Sequence, residues 1–333
     1  MKVWKRSLPV WLLALVMLLT ACGTPSQPDQ PDGTETWREA YEETGAYLQA
    51  QTAPTAGSIG GEWAVIGLSR ARLLSDETAQ SYEQTVEDYV KQAGSVRLHH
   101  AKSTENSRTI LGLTAAGYNA ANVAGVDLTA GLTDMAYLRA QGTNGPIWAL
   151  IALDCHGYDI PQCADGEEQT TREGLVAEIL SYQCSDGGWA LMGDESDVDM
   201  TAMALTSLAP YQEETDVKAA VDAALTYLSD AQQADGGFMS WGAANSESCA
   251  QVIVALTALG IDPAADSRFV KNGASPLDGL CAFACEGGGF RHSDEQMESD
   301  GMATEQGFYA LVAYDRFRQG MTSLFDMTDI EVK

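Results

Sequence analysis

The sequence predicts an all-α protein of about twelve helices arranged in an inner and an outer ring. Apolar residues recur at the three-and-four spacing of an amphipathic helix, as at Val217, Val221, Ala224, Leu225 and Leu228. Alternating β-branched runs are absent, and glycine and proline gather between the periodic segments, where they end helices. The expected helices span residues 36–51, 61–73, 76–93, 104–117, 127–140, 144–156, 171–183, 198–210, 215–232, 246–260, 276–285 and 302–318.

Every second predicted helix carries a short string in which a small residue precedes an aliphatic one. These strings are Val65-Ile66-Gly67-Leu68, Ile110-Leu111-Gly112-Leu113, Trp148-Ala149-Leu150-Ile151, Met203-Ala204-Leu205, Val254-Ala255-Leu256 and Tyr309-Ala310-Leu311. Small residues let helices approach closely, which suits an inner ring, and the more polar helices between them suit an outer ring. Recurrence at roughly 37 to 55 residues indicates stacked helical hairpins.

A turn motif is repeated toward the C-terminus. Gln183–Trp189 reads Q-C-S-D-G-G-W, Gln232–Phe238 reads Q-Q-A-D-G-G-F, and Gly288–Phe290 is a degenerate third copy. Gly60–Trp63 is a looser relative. Paired glycines permit a tight reversal after an outer helix, and the aromatic ring then packs against the next hairpin. Ten residues beyond the three aromatic residues, at or near the start of an inner helix, lie Asp199, Ser248 and Asp300.

The Q-x-x-D-G-G-W/F motif and the alternating helices resemble those of the squalene cyclase and protein prenyltransferase superfamily. The resemblance covers residues 36–320 and implies an (α/α)6 toroid, which we expect to occupy residues 36–333. In particular, the chain is similar to bacterial secreted toroid proteins with prenyltransferase and squalene oxidase repeats. That group is related to the helical domain of cobalamin carriers.

The first 21 residues read as a lipoprotein signal peptide. Lys2, Lys5 and Arg6 precede the apolar run Leu8–Thr20, which is short for a membrane span. The run ends in L-T-A-C, which resembles a bacterial lipobox and implies lipidation of Cys22; an ordinary secretory signal is the alternative. Residues 22–35 are rich in proline and predict a flexible tether. We therefore expect a protein anchored at the extracytoplasmic face of a bacterial cell membrane.

Composition limits the partners. The chain has 47 acidic and 19 basic residues and a formal net charge of -28, which repels nucleic acid and anionic lipid. The expected partners are a small-molecule ligand and, through the lipid anchor only, the membrane; protein partners are not identified. Among the six remaining cysteines, Cys155 and Cys163 flank a short connection and could pair, although buried free thiols fit the pattern equally well.

The starts of the inner helices should surround the mouth of a central cavity. Aromatic residues with a few convergent polar groups are typical of a ligand site. Helix capping is the alternative role, especially for Asp199 and Ser248. The candidate cavity residues are Glu62, Trp63, Arg108, Asn144, Trp148, Thr201, Gln251, Thr304 and Gln306.

Asp197-Val198-Asp199-Met200 resembles, at three positions, the D-x-D-D motif of terpene cyclases that protonate their substrate. The resemblance makes Asp199 a candidate general acid and Asp197 its neighbour. Met200 replaces the last aspartate, which removes support for a strong acid, and such cyclases use more than one helical domain. The positions matching the prenyltransferase zinc ligands carry no cysteine or histidine, so no metal or cofactor is expected.

These observations lead to one main hypothesis and two alternatives. The main hypothesis is a lipid-anchored toroid that binds a corrinoid or an isoprenoid in its central cavity without catalysis. The first alternative is a class II terpene or squalene cyclase-like enzyme that uses Asp199 as general acid. The second is a cell-surface scaffold that presents its acidic outer face to another protein.

Overall fold

The computed structural model describes Met1 and residues 33–51, 54–57 and 59–333. The remainder of the predicted signal peptide, Cys22 and the tether up to residue 32 lie outside the described residues. Within the described part of the chain, no helix combines the length and the apolar character needed to cross a membrane. Helix α1 begins at Gly33, three residues before the expected start at 36.

Six inner helices form a closed ring, because each packs against the next and the last packs against the first. They are α2 (Glu62–Arg70), α4 (Thr104–Ala115), α6 (Asn144–Asp154), α8 (Val198–Leu208), α10 (Ser246–Ala258) and α12 (Gly301–Arg318). The outer helices are α1 (Gly33–Gln49), α3 (Asp76–Ala93), α5 (Met135–Arg139), α7 (Arg172–Ser181), α9 (Thr215–Ala231) and α11 (Pro276–Cys281). The predicted (α/α)6 toroid is confirmed.

Small residues on the inner helices are required by close contacts, as the sequence pattern predicts. A Cβ atom at Gly112 would lie 2.3 Å from the hydroxyl oxygen of Tyr82, which is fully buried on α3. A Cβ atom at Gly67 would lie 2.8 Å from the ring of Phe308 on α12. These glycines therefore set the distance between neighbouring helices.

The predicted helix at 127–140 is wrong. The chain forms a 3-10 turn over Leu128–Leu132 and then the short helix α5. Asp127 and Asp134 each accept a hydrogen bond from the backbone two residues ahead, and these local bonds start two separate turns. A short hairpin that the sequence did not predict, β1 (Met239–Ser240) and β2 (Ala243–Ala244), precedes α10.

The C-terminal segment 319–333 covers the end of the toroid where the inner helices finish. Asp329 accepts from Arg70 at 2.6 Å and from Arg316 at 2.8 Å, and these arginine side chains are 2% and 4% exposed. The Met327 N–H donates to the carbonyl of Cys155 at 2.7 Å. Phe325 is buried, and its ring lies near those of Trp148 and Tyr309 on the inner helices. This segment lies over one end of the ring, and the opposite end is left uncovered.

The six cysteines of the described chain are free thiols. The Cys155–Cys163 disulfide that the sequence allows is not formed. Cys155 is buried at the end of α6, where its thiol contacts the carbonyl of Ala152 at 3.2 Å. Cys163 lies half-buried in the following loop, against the carbonyl of Glu167. The two thiols therefore serve separate packing environments.

Candidate functional site

The amino ends of the inner helices gather at the uncovered end of the toroid, here called the mouth. Asp197 caps α8 by accepting from Met200 N at 3.1 Å, and Asn245 caps α10 by accepting from Ser248 N at 2.8 Å. The capping roles considered for Asp199 and Ser248 are therefore wrong. Asp199 lies two residues past its cap and Ser248 three residues past its cap, so both belong to the first turn of their helices.

Two predicted cavity residues are committed to the repeat turns instead. The hydroxyl of Thr201 accepts from Trp189 N at 2.9 Å and donates to the Asp197 carbonyl at 2.7 Å. The hydroxyl of Thr304 accepts from Phe290 N at 3.0 Å. Both threonines are buried, and their hydroxyl groups are already bonded within the protein. They hold Trp189 and Phe290, the aromatic residues of the first and third copies of the turn motif, against the start of the next inner helix.

Four aromatic side chains close the axis of the ring. The Trp63 ring lies 5.1 Å from Trp148 and 6.1 Å from Tyr309, measured between ring centroids. Phe325, from the C-terminal segment, reaches within 5.8 Å of Trp148 and 6.3 Å of Tyr309. We call these four residues the aromatic floor. Only Trp63 is half-exposed, so it offers an apolar face to the mouth.

The aromatic floor therefore fills the axis of the ring, where the sequence predicted a central cavity. Below the floor lies a cavity of about 520 Å³ between α6, α8, α10 and the C-terminal segment. Its wall includes Ile151, Val254 and the lower side of Phe325. Its polar groups Asp154, Arg172 and Tyr211 bond to one another, with Arg172 Nε donating to Asp154 at 2.6 Å and the Tyr211 hydroxyl donating at 2.7 Å.

Amide side chains lie beside the aromatic floor. Gln251 Nε2 donates to Gln306 Oε1 at 2.9 Å and to the Tyr309 hydroxyl oxygen at 2.6 Å. Gln251 is buried, whereas Gln306 is half-buried. Asn144, at the start of α6, is also half-buried, and its side chain has no hydrogen-bond partner among the described residues. Gln306 and Asn144 thus supply neutral polar groups at the mouth.

The only basic candidate at the mouth is neutralised by carboxylates. Arg108 Nε donates to Glu62 Oε2 at 2.9 Å, and its Nη2 donates to Glu105 Oε2 at 2.6 Å. Burial raises the pKa of Glu62, while the charge of Arg108 and the Gly57 N–H oppose the rise. Since two acids face one guanidinium, Arg108 leaves no positive charge for an anionic ligand.

Asp199 is the most perturbed group of the predicted site. Burial raises the pKa of Asp199 to about 6; the charges of Asp197 and Glu247 add to the rise, and the Ser248 hydroxyl opposes it. Asp199 Oδ1 and Ser248 Oγ are both buried and lack a well-formed hydrogen bond within the described chain. Burial raises the pKa of Tyr309, and the charge of Asp199 adds to the rise. Asp199 can therefore donate a proton or a hydrogen bond near pH 6.

Glu305 is a second perturbed acid, and it was not among the predicted site residues. Its Oε1 accepts from Gly60 N at 2.6 Å, while its buried Oε2 has no partner among the residues that the structure describes. Burial raises the pKa of Glu305 to about 7, and the charges of Glu62 and Asp300 contribute. It lies in a cleft of about 300 Å³ between α1, α2 and α12. The sequence signal was a glutamate one turn into an inner helix, at the fifth residue of α12.

Comparisons with known proteins show the architecture. No protein-family model matches the chain, and no curated protein matches it. The unsaturated glucuronyl hydrolase from Bacillus sp. GL1 superposes with a TM-score of 0.56 at 12% identity, over 88% of this chain and 98% of the hydrolase. A glycosidase variant in complex with glucose gives 0.54 at 14% identity, over 88% and 99% of the two chains. The chain is an α/α toroid.

A terpene cyclase is a weaker structural match. The ent-copalyl diphosphate synthase from Streptomyces platensis gives a TM-score of 0.47 at 16% identity, over 76% of this chain. The toroid spans about half of that enzyme, since the match covers 49% of its length. Terpene cyclases and glycosidases thus both occur among its structural neighbours, and at these identities the likeness concerns the fold alone.

Proposed function

We propose that the toroid binds a neutral small molecule at its mouth, above the aromatic floor. The observation that supports this proposal is the incompletely satisfied pair Asp199 Oδ1 and Ser248 Oγ: both atoms are buried, and neither has a well-formed hydrogen bond within the described chain. A buried polar atom without a hydrogen bond costs about 1–3 kcal/mol. A hydroxyl or amide group of a ligand would satisfy both atoms at once, while its apolar part covers Trp63.

The chemistry of the mouth selects the class of ligand. Trp63 offers a ring face for an apolar ring or chain, and Asn144 and Gln306 offer amide groups for hydrogen bonds. Because Arg108 is already paired with Glu62 and Glu105, a diphosphate or other anion is disfavoured. Isoprenoid alcohols, neutral sugars and amide-rich corrinoids meet this description, and isoprenoid diphosphates do not.

The same proposal includes attachment of the protein to the membrane through Cys22. Helix α1 is an outer helix that leads into α2 at the mouth, so its first residue, Gly33, lies at the opposite end of the ring. A tether that enters at Gly33 would reach the toroid beside the C-terminal segment. The mouth would then face away from the membrane, toward ligands from outside the cell.

Native mass spectrometry of the full chain, purified from membranes, tests the binding proposal. The protein is offered an isoprenoid alcohol, the matching diphosphate, a neutral oligosaccharide and cobalamin in separate samples. We expect a one-to-one complex with a neutral compound and none with the diphosphate. Trp63→Ala should weaken the complex at least ~10-fold, and the exposed control Val96→Ala should not. Failure of every neutral class to bind would contradict the proposal.

Acid catalysis at Asp199 is the second candidate, since its pKa is raised to about 6 in a largely buried site. Against it stands Met200, which is buried in the protein and provides no carboxyl group to support the acid. Asp199→Asn separates the two functions. If the wild type converts the bound compound, and the variant binds it without converting it, the protein is an enzyme. Binding without turnover in either protein indicates a carrier.

A further inference from the structure

Five large apolar side chains are exposed around the mouth. Met192 and Trp241 are each 84% exposed and Met297 is 91% exposed, with Leu191 and Met239 less so. We call these five residues the apolar rim. Single exposed apolar residues are common on protein surfaces, but large ones gathered at one end of a molecule mark an interaction site.

The loops that carry the apolar rim are joined to one another. Its residues lie on the three loops that precede α8, α10 and α12, which are neighbours in the ring. The first two loops are joined by a hydrogen bond from the Ser240 hydroxyl to the Asp197 carboxylate. The second and third loops are joined by backbone pairing of Asn245 with Ser293 and by contact of His292 with Glu247 at 2.9 Å.

Trp241 has a backbone conformation that is unfavourable for a tryptophan and so lowers the stability of the fold. It occupies the first central position of the two-residue turn between Ser240 and Ala243, with a φ of 53°, and Gly242 follows with a φ of 84°. This left-handed turn favours glycine, asparagine or aspartate at both positions. A tryptophan there costs about 1 kcal/mol and buries almost nothing in return. Strain of this kind in an exposed residue points to a role outside folding.

The charge around the apolar rim is acidic. Asp194, Glu195, Glu295 and Glu298 are exposed in the first and third loops. Residues 182–197 and 232–245 contain no lysine or arginine. In the third loop, Arg291 is paired with Asp294 at 3.0 Å. The surface therefore combines adaptable methionine and tryptophan side chains with unneutralised carboxylates.

We infer that the apolar rim binds a basic amphipathic helical segment of a partner protein. The apolar side of such a helix covers Met192, Trp241 and Met297, and its lysines and arginines pair with Asp194, Glu195 and Glu298. A net charge of -28 opposes both a second copy of the chain and an anionic membrane as the occupant. The inference does not rest on the proposed ligand, although a helix in this position would lie over the mouth.

Fluorescence anisotropy with three synthetic helical peptides tests the inference on the full chain. The first peptide is an amphipathic helix with lysine on one face and leucine on the other. The second peptide has glutamate in place of lysine. The third has serine in place of leucine. We expect tight binding of the first peptide only. The triple variant Met192→Ser, Trp241→Asn, Met297→Ser should weaken it at least ~10-fold, and Val96→Ser should not. Asparagine suits the left-handed position, so the variant should fold.

Four results would overturn the inference. If the lysine–serine peptide bound as tightly as the lysine–leucine peptide, the interaction would depend on net charge alone. Unchanged binding by the triple variant would place the peptide elsewhere. Stronger binding of zwitterionic lipid vesicles than of the lysine–leucine peptide would assign the apolar rim to a membrane. A dimer in sedimentation experiments that the triple variant abolishes would assign it to a second copy of the chain.

Discussion

Asp199 Oδ1 and Ser248 Oγ lie on the adjacent inner helices α8 and α10, both buried and both without a well-formed hydrogen bond within the described chain. Buried polar atoms are nearly always paired in folded proteins. Nine buried side-chain atoms of the described chain are exceptions, and these two lie next to each other at the mouth. This arrangement is unfavourable for the empty protein and favourable for a complex, which is why it carries the proposed function.

The first prediction concerns stability against pH. The folded pKa of Asp199 lies at about 6, above its ordinary value of 3.8, so the folded state holds the proton more tightly than the unfolded state. The contribution is present below pH 4 and is lost as the pH rises through 6. Relative to Asp199→Asn, the wild type should lose about 2–3 kcal/mol of unfolding free energy over that range. Urea unfolding at several pH values measures this difference, and parallel curves for the two proteins would contradict it.

The second prediction concerns helix spacing. Gly112→Ala should destabilise the toroid by about 1–3 kcal/mol, because the new methyl group meets the Tyr82 hydroxyl oxygen at 2.3 Å. Tyr82→Phe removes that oxygen, which is buried and unpaired among the described residues. The double variant should recover only part of the loss in thermal unfolding, because Glu62 Cγ lies 2.8 Å from the same methyl position. Equal losses in the single and double variants would show that the hydroxyl is not the obstacle.

These two sites show what the sequence could and could not reveal. The alternation of small and large apolar residues is a local pattern, so the inner helices and even the bounds of α3 at Asp76–Ala93 were predictable. The aromatic floor was only half predictable. Trp63 and Trp148 were predicted because they lie near the starts of inner helices. Phe325 belongs to a C-terminal segment without periodic apolar residues, so its position was not predicted. The unpaired state of Asp199 depends on contacts between helices that are distant in sequence.

The third prediction separates turn residues from ligand residues. Thr201→Val removes hydrogen bonds to Trp189 and to the Asp197 carbonyl, and it should cost about 1–2 kcal/mol in chemical unfolding. Ligand affinity of the folded protein should stay unchanged. Thr304 makes the equivalent bond to Phe290 N in the third copy of the turn motif. Thr304→Val should therefore also lower stability without changing ligand affinity. A loss of affinity without a loss of stability in either variant would return the threonines to the binding site.

The fourth prediction concerns the C-terminal cover. Asp329→Ala leaves the buried guanidinium groups of Arg70 and Arg316 without their shared carboxylate. Removing one partner of a buried ion pair costs about 3–5 kcal/mol, and the partial exposure of Asp329 places the expected loss near the lower limit. Limited proteolysis should cut the C-terminal segment faster in this variant. The exposed Glu331→Ala is the control, and equal cleavage of both would contradict the role of Asp329.

The most direct test of the central claim is a calorimetric titration of the bound neutral compound at pH values from about 4.5 to 7.5, around the folded pKa of Asp199. If protonated Asp199 donates to the ligand, wild-type affinity should hold below pH 6 and fall about tenfold by the upper limit. Asp199→Asn, which keeps a donor at every pH, should show a flat profile. Identical profiles for the two proteins would contradict a ligand held by Asp199 at the mouth.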